Sequence, residues 1–225
     1  MPRKRRFIPV DSALHIMCRG NNKQNIFNND SDKLYYWRLL KELKDENNVG
    51  IFHYCIMNNH VHLIVWVTIA SKFSRFMKQL NLLYYNYYKR SYGYWGHVWQ
   101  GRYKSNVIET DAHLLQCGKY IELNPVRAGM VIRPEEYVFS SYRHYACGLK
   151  DTVISDSPVF LGLADHSLRR RERYVEFMVD SSIINSDRLT KQVFIGSKDF
   201  VCKLRQYYGI KEINSKGGRP RKSKL

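Results

Sequence analysis

Apolar and polar positions along the chain fall into short strand-like runs and longer stretches of helical spacing. LHIMCRG, residues 14–20, reads as a strand closed by Gly20, and the NNKQNIFNND that follows is Asn-rich loop chemistry. A helix capped by Asp30 or Ser31 is then predicted, with Leu34, Trp37, Leu40 and Leu43 at three-residue spacing up to NNVG. GIFHYCIM and HVHLIVWV are two β-rich runs joined by the turn-forming pair Asn58 and Asn59, an antiparallel hairpin whose second strand opens on His60 and His62. Residues 71–91 have a helical pattern, and GHVWQGRYKSNVIE carries the Gly, aromatic and β-branched residues of a fourth strand. A further helix is expected to begin near Thr110 or Asp111, run through HLLQCGKYIEL and stop at Asn124, because Pro125 disfavours helical geometry in the residue before it. The order β-α-β-β-α-β followed by α is the split βαβ arrangement of a ferredoxin-like α+β fold with an antiparallel sheet.

The pattern changes near residue 150. RRRERYVEFMV and KDFVCKLRQYYG predict two more helices, and KEINSKGGRPRKSKL is a basic, Gly- and Pro-containing tail with too little apolar content to fold alone. The expected organisation is a domain over 1–150 that includes a basic N-terminal arm, a helical extension over 151–213, and a tail over 214–225. Its 225 residues are enough for a well-packed core.

Charge narrows the function. With 37 Lys+Arg against 20 Asp+Glu the formal net charge is +17, which asks for an anionic partner, nucleic acid or a membrane surface. No run approaches the roughly 18 apolar residues that span a bilayer, and no signal-type apolar core follows MPRKRRF, so a cytoplasmic, nucleoid-associated location is expected. Five scattered cysteines without a C-x-x-C pair suggest reduced thiols rather than disulfides or a zinc knuckle. Tyrosine is abundant at 17 residues, and Tyr84, Tyr85, Tyr87 and Tyr88 either fill a half-buried helix face or stack on single-stranded bases.

Alternation along a strand puts His60 and His62 on one face and Val61, Leu63 and Val65 on the other. Alone, that pair suits a buried strand as well as it suits a metal. In GKYIELNPVRAG, however, Tyr120 and Asn124 share a helix face, with Gln116 one turn earlier. If that helix packs on the histidine face, two imidazoles and an amide oxygen meet beside a phenol. Such mixed nitrogen and oxygen donors suit Mg²⁺ or Mn²⁺ bound jointly with a phosphate. A phenol, with an ordinary pKa near ~10, is also a better leaving group than an aliphatic alcohol, so a phosphotyrosine bond is reversible.

HVH, WQGRYKSNVIE and YIELNPVRAGMV, with HIMCRGNNKQNIF near the start, closely resemble the single-tyrosine HUH transposases, specifically the REP-associated tyrosine transposases and their IS200-like relatives. The resemblance runs from about residue 8 to residue 145. It implies a ferredoxin-like catalytic domain in which His60 and His62, with Asn124, hold the divalent metal. Tyr120 would attack single-stranded DNA, take the 5′-phosphate and leave a 3′-hydroxyl. Insertion-sequence relatives carry Gln at the position of Asn124, and the REP-associated branch resembles this chain in having Asn. The branch acts on palindromic hairpins with a short tetranucleotide at the foot, as a monomer, whereas insertion-sequence relatives are dimers that swap the tyrosine helix; a monomer is the expectation here, with a dimer as the alternative.

The basic residues expected to meet DNA are Arg3, Lys4, Arg5 and Arg6 in the arm, Arg102 and Lys104 in the fourth-strand segment, and Arg219 and Arg221 in the tail. GGRPRK resembles an AT-hook, for which the alternative is a solvated tail making nonspecific phosphate contacts. Two rival functions remain open from sequence, a noncatalytic nucleic-acid-binding module and a domesticated hairpin-binding regulator.

Overall fold

A computed structural model describes residues 6–109, 111–180 and 194–207 of the chain. Strands β1 (Ser12–Arg19), β2 (Val49–Ile56), β3 (His60–Val67) and β4 (Lys104–Ile108) lie in the order β2-β3-β1-β4, antiparallel at every step. This is the expected α+β arrangement. The pattern did not anticipate β5 (Phe194–Ile195), two residues from the extension that pair in parallel with β4.

Strand alternation divides the sheet between two layers. Leu14 and Ile16 of β1 and Val61, Leu63 and Val65 of β3 face α1 (Asp30–Glu46) and α2 (Ala70–Tyr92), burying Tyr36, Leu40, Phe73 and Leu80. The opposite face carries Ala13, Cys55 and Ile64, and receives Leu114, Cys117 and Ile121 of α3 (Asp111–Glu122). A register shift between Ile51 and His53 inserts an extra residue into β2. As a result two successive side chains, Phe52 and His53, both turn towards α3.

Helix boundaries depart from the pattern in instructive ways. The cap of α1 is Asn29, not Asp30 or Ser31: Asn29 accepts from the Asp32 backbone, and the Asp32 carboxylate accepts from the amides of Asn28 and Asn29. Asp32 is also the anchor for Tyr87 and Tyr92, whose hydroxyls donate to it at 2.8 and 2.7 Å. Leu34 points to solvent, because the buried stripe of α1 runs through Tyr36, Leu39, Leu40 and Leu43. Within the tyrosine cluster, Tyr84 and Tyr88 are core residues, and Tyr84 donates to the Ile26 carbonyl at 2.5 Å. Helix α3 ends at Glu122 rather than Asn124, and a second helical turn, α4 (Asn124–Arg127), starts there with Pro125 in its first turn, where a missing N–H costs nothing.

Beyond α4 come α5 (Tyr142–Cys147), α6 (Pro158–Leu161), α7 (Ser167–Val179) and α8 (Lys198–Tyr207). Rings from both sides of residue 150 share one buried cluster, with Tyr145, Phe160 and Tyr174 in contact. Arg3, Lys4 and Arg5, and the tail with Arg219 and Arg221, lie outside the described residues. Among the described residues no helix is long and apolar enough to cross a membrane, and all five cysteines are free.

Gly118 sets how close α3 comes to the sheet: a Cβ there would lie 2.6 Å from His53 Cε1. His53 is fully buried and has no room to retreat. Gly118→Ala is therefore expected to cost about 1–3 kcal/mol despite the better helix propensity of Ala. The denaturant midpoint measures it, and a stabilised variant would show that the α3–β2 spacing yields.

Candidate active site

His60 and His62 project from β3 towards α3, with ring centroids 4.9 Å apart. The Tyr120 ring stands edge-on to His62 at 5.9 Å, and to a third imidazole, His15 of β1, at 6.5 Å. The structure thus brings the predicted nucleophile and both predicted histidines together across the α3–sheet boundary.

Each histidine is held through Nδ1. His60 Nδ1 lies 2.5 Å from Asn59 Oδ1, an acceptor, so the proton sits on Nδ1 and the lone pair on Nε2. His62 Nδ1 lies 2.8 Å from His15 Nε2, with the two rings stacked at 5.0 Å. If His62 donates in that bond, its Nε2 also carries a lone pair. Burial, helped by the neighbouring Arg19, pushes His60 down to about 4. Burial, with His15, His60 and Arg127 beside it, holds His62 well below the ordinary histidine range. Both rings are therefore neutral at neutral pH, the form that ligates a metal.

Arg127 joins the remaining parts. Its guanidinium lies 4.1 Å from the Tyr120 ring centroid, and Nη2 donates both to the Tyr120 carbonyl and to Asn124 Oδ1, the latter at 3.1 Å. Asn124 Nδ2 is buried without a hydrogen-bond partner. An orphaned donor at this point suits a phosphate oxygen, while Oδ1 has one lone pair left beyond the Arg127 bond.

Two neutral imidazoles side by side fit a divalent ion that takes its oxygen ligands from Asn124, substrate or water, although no contact among the described residues joins Asn124 to the histidines directly. Among the described residues no group of three or more His, Cys, Asp and Glu side chains is arranged to hold a metal.

The predicted basic residues are used differently. Arg6 is committed to the protein, stacking on Tyr103 at 3.7 Å and donating to its carbonyl. Arg102 and Lys104 are exposed, and Lys104 pairs with Met17, which also pairs with His62, so Lys104 shares the histidine face. Gln116, one turn before Tyr120, is half-buried. The pattern had missed His15, Arg19 and Arg127. His15 was legible in principle, since it alternates with Leu14 and Ile16 on the face opposite the core.

The structure is an α+β protein whose ferredoxin-like sheet faces a helix-borne tyrosine with paired histidines. The profile described as "Transposase IS200 like" matches residues 10–124, and the chain belongs to that family. No curated protein matches it. A REP-associated tyrosine transposase bound to a REP hairpin superposes with a TM-score of 0.51 at 18% identity, over 70% of this chain and 93% of that one, which establishes the shared fold. A protein of Deinococcus radiodurans R1, provisionally named a transposase, matches at a TM-score of 0.37 and 18% identity over 54% of this chain and 96% of that one. That second likeness carries no argument.

Arg127→Lys keeps the charge but loses the planar guanidinium that lies over the Tyr120 ring while Nη2 bonds the Tyr120 carbonyl and Asn124 Oδ1. It is expected to lower the unfolding free energy by about 1 kcal/mol and to speed amide exchange at residues 124–128. Unchanged exchange there would show that the bridge does not hold the α3–α4 corner.

Proposed function

We propose that this transposase cleaves and rejoins single-stranded DNA at palindromic hairpins of the REP kind, through a 5′-phosphotyrosine on Tyr120. The observation that carries the reading is the Tyr120 ring standing edge-on to His62, on a sheet face where His62 is buried, His60 is half-buried and both are held neutral. The bound hairpin of the structural relative supports the substrate class.

In the forward step the Tyr120 phenolic oxygen attacks phosphorus and loses its proton. The bond from phosphorus to the 3′-oxygen breaks, and that oxygen leaves as a 3′-hydroxyl after taking up a proton. In the reverse step a 3′-hydroxyl attacks the same phosphorus, and the bond to the phenolic oxygen breaks. A divalent ion, Mg²⁺ or Mn²⁺, held by His60 and His62 with Oδ1 of Asn124 would neutralise charge on the scissile phosphate. Arg127, over the Tyr120 ring, and the orphaned Nδ2 of Asn124 offer donors for phosphate oxygens. His15 keeps His62 in its ligating orientation. Arg102 and Lys104 contribute phosphate contacts along the same approach, and the chain acts as a monomer.

Tyr120→Phe removes only the attacking oxygen. Hairpin affinity should stay within about twofold, while cleavage falls by about four orders of magnitude. Wild-type protein should form a denaturation-resistant adduct with the 5′ side of the cut strand. An adduct that peptide mapping places on Tyr103 would refute the nucleophile.

His60→Ala and His62→Ala should abolish metal-dependent cleavage. His15→Phe, which keeps ring packing but removes the partner of His62 Nδ1, should weaken Mn²⁺ binding by about 10–100-fold. Calorimetric titration of Mn²⁺ reads this directly, and an unaltered affinity would mean that His15 only packs.

A further inference from the structure

The family profile stops at residue 124, and α7 lies well beyond it. Even so, α7 is bonded to the helix that carries Tyr120 at two points. Tyr174 donates to Glu122 Oε2 at 2.8 Å, with both side chains fully buried. Lys119 Nζ donates to the Phe177 carbonyl at 2.7 Å and also to the Asp180 carbonyl, at the C-terminal end of α7. Those carbonyls lie at the last turn of α7, and the C-terminal end of a helix attracts a cation.

We propose that α7 is a strap that sets the rotation and depth of α3, and with them the position of Tyr120, through Tyr174 and the carbonyls at its C-terminal end. The proposal rests on Tyr120 being the nucleophile.

Helical geometry explains why these two bonds govern that ring. At ~100° per residue, Lys119 and Glu122 lie on the same side of α3, roughly 100° and 160° from Tyr120. Leu115 and Leu123 lie on that side too and pack into the cluster of Tyr145, Phe160 and Tyr174. Leu114, Cys117 and Ile121 lie on the other side, against the sheet. The sheet and α7 thus grip opposite flanks of α3, and Tyr120 occupies the rim between them, facing His62. Apolar contact alone would tolerate a small roll of the helix. A roll that moved Tyr120 away from His62 would break the Lys119 and Glu122 bonds together, leaving buried polar groups unsatisfied.

Tyr174 and Lys119 are in this sense positioning residues, which act on the reaction only through α3. Tyr174→Phe deletes one hydroxyl and keeps the ring in its cluster, and Lys119→Met keeps the aliphatic stem and deletes the ammonium. The probe is a library of DNA hairpins with randomised single-stranded feet, cleaved in a single turnover at saturating protein. Amide hydrogen exchange supplies a second readout that needs no activity.

Each variant should raise exchange at residues 117–123 about tenfold and lower the cleavage rate constant about tenfold. Hairpin affinity and exchange in β1 and β3 should stay within about twofold of wild type. An unchanged rate constant in a chain whose α3 exchange has risen overturns the strap as a positioning device. Exchange that rises uniformly across the sheet overturns it as well, since Tyr174 and Lys119 would then serve stability alone. Wild-type protein that cleaves nothing would remove Tyr120 as nucleophile, and in that case unchanged α3 exchange in both variants is the result that overturns the strap.

Discussion

The structure turns on one buried carboxylate. Glu122, at the last residue of α3, accepts from His53 of β2 at 2.9 Å, from Ser141 at 2.5 Å and from Tyr174 of α7 at 2.8 Å, and none of its surface reaches water. An isolated carboxylate in that position would cost several kcal/mol, so the three donors must arrive together for the fold to close. They come from the sheet, from the residue before α5 and from the extension, and they meet two residues after Tyr120. The group that locks the fold therefore also locks the helix that carries Tyr120.

The two faces of the sheet do different work because their polarity differs. The α1–α2 face is packed almost wholly with aliphatic and aromatic side chains, while the α3 face holds His15, His53, His62 and Asn106 among its buried residues. Polar groups on a buried face need partners, and here they find each other: His15 with His62, and His53 with Glu122. The bulge at Ile51–His53 adds His53 to this set, and the bare Gly118 lets α3 settle onto its ring.

Local rules reached the elements and half of the site. Alternation in HVHLIVWV holds in three dimensions because it depends only on the geometry of one element, whereas Tyr120 and Asn124, read as one helix face, fall on α3 and α4 and are joined through Arg127. What escaped depends on distant partners. Asn29 caps α1 because Asp32 is fixed by tyrosines some sixty positions later. The two residues of β5 pair only because β4 offers a free edge. Glu122 reads as an ordinary polar residue near a helix end until its partners at positions 53, 141 and 174 are assembled. Arg127 was hidden behind Pro125, where the chain turns helical again instead of stopping.

The balance of charge around Tyr120 follows from the same layout. Glu122, two residues away, is turned inward and consumed by its donors, while burial above all, and then the neighbouring charges of Arg19 and Arg127, depress protonation of the histidines. Neutral imidazoles, guanidinium groups and an orphaned amide donor, with Glu122 turned away, make a site without a free carboxylate next to Tyr120 among the described residues. Such a site favours a partner that brings the oxygens, and a phosphodiester does so. Under the proposed function, a divalent ion held by the two imidazoles would need further hard ligands, and the same phosphate would offer them. Ion and DNA would then bind interdependently, each completing the site for the other, and the chain's formal charge of +17 would favour delivery of the anionic half of that pair.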